Sequence, residues 1–265
     1  MTDVLGESLL GVGLLAGSAN VVMQLARPEV GYGVLESTVE SGNLFKHPLK
    51  RARTTYTYLA VAALGTDEER AAYRRAVNVS HAQVRSTAAS PVRYNAFDPE
   101  LQLWVAACLY RGLEDVHRIV LGRPVPEALY GEAAALGTTL QVRPEQWPAD
   151  RLAFEEYWTA GLSKVDIDDR LREYLTSLVD LRFLPRPFGV LFGPAHRFVT
   201  AGFLPAQFRE QLRLPWSATD QRRFDRLMRR IGRVVRLLPP SARRFPFGLC
   251  LAGLRRRRRK GEPLG

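Results

Sequence analysis

The chain has 265 residues, 46% of them hydrophobic, and a formal charge of +11 that rests on 34 arginines and four lysines. That length and composition suffice for a substantial buried core and leave disorder only for the ends. Its two cysteines, Cys108 and Cys250, sit far apart in apolar runs, which excludes a disulfide framework and a four-cysteine metal site and fits buried free thiols in a reducing compartment.

Helical periodicity runs through the whole chain, and alternating strand-like runs are nearly absent. The apolar stretch Leu9 to Leu25 predicts a first helix that stops before Pro28. It carries Asn20 and Gln24, and acids (Asp3, Glu7) rather than bases precede it. A buried core helix therefore fits better than a secretory signal or a membrane span. Pro48 opens a second helix at its first turn, and Gly65 ends it after Leu64. Asp67 is expected to cap a third, DEERAAYRRAVNVSHAQVRS, with acids in its first turn and bases later. Asp98-Pro99 caps a fourth, ELQLWVAACLYRGLEDVHRIV, apolar over most of its circumference and so placed centrally. Short helices follow Pro126 and Pro144. Beyond them come FEEYWTAGL, IDDRLREYLTSLVDL, FGPAHRFVTAGFL, ATDQRRFDRLMRRIGRVVRLL and a basic C-terminal helix. Proline-rich joints near 184–187 and 239–240 read as helix stops. No repeat or linker divides the chain. The expectation is one all-α globular domain over residues 1–254, followed by a basic tail, 255–265, that holds +5 of the net charge.

Several short motifs are set aside on physical grounds. GVGLLA, Gly11 to Ala16, satisfies a dinucleotide-binding pattern but lacks the strand–turn–helix setting that pattern requires, so close helix packing explains its glycines better. EDVH, Glu114 to His117, is one Glu-x-x-His unit where a di-iron bundle needs two, and a surface helix with local charge pairing is the simpler reading. The arginine run 255–259 has no aromatic interleaving, so a nucleic-acid partner is not expected. A peripheral contact of Arg255 to Lys260 with an anionic membrane stays open. The expected location is the cytoplasm, with that membrane contact as the one qualification.

His81 is the residue that does not fit. On a helix, Val77, His81 and Val84 share a side that is otherwise apolar. The preceding helix carries Arg51 and Thr55 four residues apart, hence on one face. An imidazole aimed into an apolar space and faced by a cation and a hydroxyl is the arrangement a haem needs, with the opposite side deciding how oxygen is held.

The strings Arg51-Ala-Arg-Thr-Thr55, YLAVAALGT, VNVSHAQV and YNAFDPELQLWVAACLY occur here in that order. With QLARPEVGYGV, FVTAGFLPAQFREQLRLPWS and LLPPSARRFPF, they make the chain resemble the haem-dependent oxygenase family that includes MpaB and the rubber oxygenase (latex-clearing protein) catalytic domain. The resemblance implies an all-α, partly globin-like fold enclosing one haem b. His81 matches the axial ligand, and Arg51 and Thr55 match the distal arginine and threonine. Trp104, on the central helix, is grouped with the cofactor-binding residues. Arg74, Arg75 and Arg85 are candidates for pairing with haem propionates. Rubber-cleaving relatives carry a lysine where this chain has Thr54, and many members carry a second pocket histidine where it reads WVAAC, Trp104 to Cys108. The first departure weighs against a lysine-gated sixth coordination and so against polyisoprene as substrate; the second leaves the pocket without that histidine. The implied activity is oxidation or cleavage of a carbon–carbon double bond in a hydrophobic isoprenoid or lipid by O2, with the electron donor left unassigned. Two alternatives share parts of this pattern: a haem carrier or sensor that uses His81 without turnover, and a haem-free basic interaction protein.

Overall fold

The computed structural model describes residues 4–40 and 43–264; Asp3 and the extreme termini lie outside them. Among the described residues the chain is all-helical, and the nearest approach to a strand is one isolated bridge between Arg85 and Asn95. No described helix is long and apolar enough to cross a membrane.

A short α1 (Val4–Ser8) precedes the first expected helix, which is itself two pieces: a 3-10 segment (Gly11–Ala16) and α2 (Gly17–Leu25). Packing explains the break. A Cβ at Gly11 would lie 1.8 Å from the carbonyl oxygen of Phe245, so the glycines of GVGLLA let a tightened segment sit against the chain near the C-terminus. The helix α3 (Pro28–Leu35) then leads to α4 (Pro48–Leu64), with its proline in the first turn and Gly65 after its last. The helix α5 (Asp67–His81) is capped one residue earlier than expected. Thr66 accepts from the Glu69 backbone N–H at 3.2 Å while the Glu69 carboxylate accepts from the Thr66 N–H at 2.9 Å. This reciprocal box satisfies two amides at once, which Asp67 alone could not do.

The central helix is α6 (Pro99–Val116), capped by Asp98, whose carboxylate accepts from the Glu100 N–H at 2.8 Å. It continues through a π-turn, His117–Leu121, to Gly122 in the left-handed conformation. The EDVH unit sits here and is not on a surface helix. His117 is 2% exposed, and Glu114 is a largely sealed carboxylate paired with Arg111 at 2.9 Å and Arg151 at 2.5 Å. The charge pairing was legible; the burial comes from the α9 side. There α9 (Arg151–Leu162) brings Phe154 and Trp158 under the Arg111 guanidinium at 5.2 and 5.0 Å. Tyr110, Tyr130, Trp147 and Phe154 form one aromatic cluster. Each such fully buried ring is worth about 1.5–3 kcal/mol of apolar transfer.

Two short helices, α7 (Leu129–Ala133) and α8 (Ala135–Thr138), lead to α9. The second half holds α10 (Asp169–Val179), α11 (Arg186–Phe203), α12 (Ala206–Gln211), α13 (Ala218–Leu237), α14 (Pro240–Arg243) and α15 (Phe247–Arg259). The helix α15 lies along α4. It runs unbroken to Arg259, so the tail boundary expected after Leu254 falls inside a helix. Arg255 is tied back to Glu69 by contacts of 2.7 and 3.2 Å.

Candidate functional site

Arg51 begins the site. It lies deep within the protein mass, deep enough for loss of hydration to lower its pKa, yet its surface remains open to water. Protein thus surrounds Arg51 on several sides, while part of the side chain reaches the surface. No carboxylate pairs with it among the described residues, and the charged or polar groups that feel its charge are Tyr73, Tyr174 and His81. An enclosed cation without a counter-ion is costly unless an anion or developing negative charge meets it.

The walls follow from helical spacing. On α4, Arg51, Thr54, Thr55 and Tyr58 recur at three- and four-residue steps and so share a face. Tyr58 donates its hydroxyl to the carbonyl of Leu136, and burial pushes its pKa upward. On α5, Tyr73, Val77 and His81 make a second stripe. Tyr73 is fully buried and donates to the Thr54 carbonyl at 2.9 Å, which locks α5 onto α4 at this height. Tyr174 of α10 closes a third side, with Phe45 packed on its ring at 5.5 Å.

His81 stands at the C-terminal end of α5, half-buried, with Phe97 edge-on at 6.3 Å. Desolvation, with the positive charge of Arg51 as a second cause, brings its pKa down to about 4. The ring is therefore neutral at pH 7 and keeps a free lone pair. Its Nδ1 is sealed from water with no hydrogen-bond partner, and no described residue bonds to Nε2. A packed structural histidine satisfies its nitrogens. Here Nε2 has no protein partner, which a metal-ligating nitrogen requires, whereas the sealed Nδ1 lacks the hydrogen bond that usually orients such a ring. On that observation the residues suit an iron porphyrin: a neutral, unpartnered imidazole on one side and an unpaired cation on another. No group of three His, Cys, Asp or Glu gathers among the described residues, so a bare ion held by several side chains finds no seat there.

The structure brings Arg51 and His81 within electrostatic reach and puts Thr55 on the Arg51 face. Thr55 donates its hydroxyl to the Arg51 carbonyl at 3.1 Å, so its proton belongs to the helix and only its lone pairs face outward. Trp104 is elsewhere. It is 0% exposed and lines no hollow; its indole N–H reaches the Gln24 carbonyl at 3.2 Å, and its ring stacks on Trp158 at 5.1 Å. It is a core residue because α9 leaves room for it at Gly161, where a Cβ would come within 2.5 Å of the indole. Arg74 is likewise committed, donating to the carbonyls of Thr138 and Thr139 at the end of α8. Arg75 and Arg85 are exposed, the latter on a polar surface cleft with Glu36, Tyr94 and Arg170. Sequence reasoning missed the tyrosines. Tyr58 and Tyr73 were legible from spacing alone, whereas nothing near Tyr174 announced that α10 would meet α4.

Residues 8–233 match the family described as ER-bound oxygenase mpaB/B'/rubber oxygenase, catalytic domain, and the chain belongs to that family. Among curated proteins it is similar to uncharacterised proteins of Mycobacterium tuberculosis (strain H37Rv) and Mycobacterium bovis. Each is 52% identical over 252 residues, spanning 94% of this chain and 99% of the relative. No solved structure matches.

Proposed function

We propose that the chain is a haem b-dependent oxygenase that uses O2 on a hydrophobic, unsaturated small molecule, an isoprenoid or a lipid, at a carbon–carbon double bond. The observation that carries this reading is the neutral, unpartnered imidazole of His81 within electrostatic reach of the unpaired guanidinium of Arg51, and the space beside them is the proposed haem seat. Family membership supports the oxygenase half of it. In the partly globin-like arrangement that the resemblance implies, α5 is the proximal wall and α4 the distal one.

Haem, when bound through His81, supplies an iron that activates O2. The rest is the work of the chain. His81 offers a nitrogen lone pair at neutral pH because burial and Arg51 keep it unprotonated. Arg51 holds a fixed positive charge where negative charge develops on oxygen. Thr55, its proton held by the Arg51 carbonyl, accepts a hydrogen bond and so orients a water or a protonated oxygen. Tyr58 turns its hydroxyl to a backbone carbonyl and leaves its ring as apolar surface, which suits an apolar substrate, while fully buried Tyr73 holds α5 against α4. Splitting a double bond so that each carbon ends as a carbonyl takes up both atoms of O2 and needs no outside electrons.

The test is direct. Protein expressed with haem precursor is expected to be red, with a Soret band, and His81→Ala to lose that band while keeping its helical circular dichroism. Free imidazole should restore part of it. Wild-type haem content in His81→Ala would refute the ligand assignment, and a colourless wild type would refute the haem.

A further inference from the structure

From the exposed apolar surface and the charge around it, we infer that this protein docks on an anionic lipid bilayer through the N-terminal half of α11 and the arginine-rich C-terminal segment beside it. This rests on surface features and does not depend on what the proposed haem seat binds.

The first turns of α11 are apolar on nearly every side and uncovered: Phe188, Val190, Leu191 and Phe192 are 54, 71, 70 and 50% exposed. Only the Gly189–Gly193 edge meets the rest of the molecule, where both glycines approach the carbonyls of Asp180 and Leu181. The 3-10 segment Gly11–Ala16, with half-exposed Val12, Leu14 and Leu15, touches α11 on one side and α14 on the other. Beyond α14 and along the adjoining ends of α13 and α15, Val234, Leu237, Phe245 and Leu249 are also exposed. Isolated exposed apolar residues are ordinary; a run of this kind marks an interaction surface.

Charge selects the partner. From Arg226 to Gly261 the chain has twelve arginines, one lysine and no carboxylate, and none occurs from Leu181 to Arg209 either. Among the described residues, Arg255 on Glu69 and Lys260 near Glu262 are the cations of that C-terminal segment with a carboxylate contact. Aliphatic side chains beside unpaired arginines match the two layers of an anionic leaflet, with acyl chains below and phosphates at the rim. Nucleic acid offers phosphates but nothing for Val190 and Leu191. A second copy of the chain would bring the same positive charge to the contact. Phe45, which bridges Tyr174 of the proposed haem seat and Phe183 just ahead of α11, sets that seat beside this surface.

The experiment is co-sedimentation of the full chain with phosphatidylcholine vesicles, with and without phosphatidylglycerol, alongside size-exclusion light scattering. Binding is expected only with phosphatidylglycerol, and to weaken at least tenfold at high salt. Val190→Asp/Leu191→Asp, both on open surface, should lower vesicle binding at least tenfold with unchanged circular dichroism and melting temperature. Vesicle binding that survives this double variant overturns the proposal. Arg256→Glu/Arg258→Glu/Arg259→Glu should weaken vesicle binding as well, and undiminished binding in that variant also overturns the proposal. A wild type that ignores the vesicles but is a dimer split by Val190→Asp/Leu191→Asp overturns it in favour of a second copy. The Soret band, read on the same samples, reports the haem separately.

Discussion

Glu69 holds two structures together with one carboxylate. It closes the N-terminal box of α5 with Thr66 and receives Arg255 from α15, while itself only 5% exposed. The Arg255 hydrogen bond is the largest influence on it and, against the opposing cost of burial, holds its pKa below the usual carboxylate value. A depressed acid stabilises the fold above its ordinary pKa of about 4.3, and that contribution disappears as pH falls through the lower native value. Glu69→Gln is therefore expected to cost about 1–3 kcal/mol near neutrality, the worth of a hydrogen bond to a charged group. It should also flatten the acid limb of a plot of urea midpoint against pH. An equally steep limb in the variant would show that other carboxylates set it. At this scale the sequence was informative where chemistry is local. His81 stood out because it is an odd residue type for its helix face, and Arg51 and Thr55 because four-residue spacing puts them on one face. Trp104 misled because burial, which decides whether a large ring lines a void or fills one, depends on α9, more than fifty residues on at Trp158 and Gly161, in a helix with no sequence link to the site.

Helices meet here through glycines whose missing side chains are filled by another element. The sharpest case is Gly232 on α13, where a Cβ would fall 1.8 Å from the Val120 carbonyl oxygen in the π-turn. Backbone cannot swing aside as a flexible side chain can. Gly232→Ala should thus push α13 off the π-turn and lower stability by about 1–3 kcal/mol, as overpacking does, despite the better helix propensity of alanine. Chemical denaturation checks the size. A stabilised variant would mean that the two elements are not in contact. Element boundaries followed the capping residues closely at α4, α6 and α13, because prolines, Asp98 and the Ser217 box act over three or four residues. The broken N-terminal helix was not legible, since the cause of the break, the chain at Phe245, arrives from the opposite end of the sequence.

At the scale of the whole molecule, the all-helical class and the single domain were readable from periodicity and from the absence of linkers. The proposed site is harder to read than the fold because its groups come from α4, α5 and α10, and only the first two are adjacent in sequence. Tyr174 needed the tertiary structure to be found.

The haem seat proposed beside Arg51 and His81 has a mechanical corollary. Unfolding a chain removes its internal voids, so the volume change on unfolding grows more negative as those voids grow, and compression favours the smaller state. Ligand-free protein is accordingly expected to unfold at distinctly lower hydrostatic pressure than protein saturated with haem, followed through the fluorescence of its four tryptophans. His81→Ala should remain pressure-labile with haem present. Equal resistance in the free and loaded wild type would mean that the space beside Arg51 is not where the ligand adds its bulk.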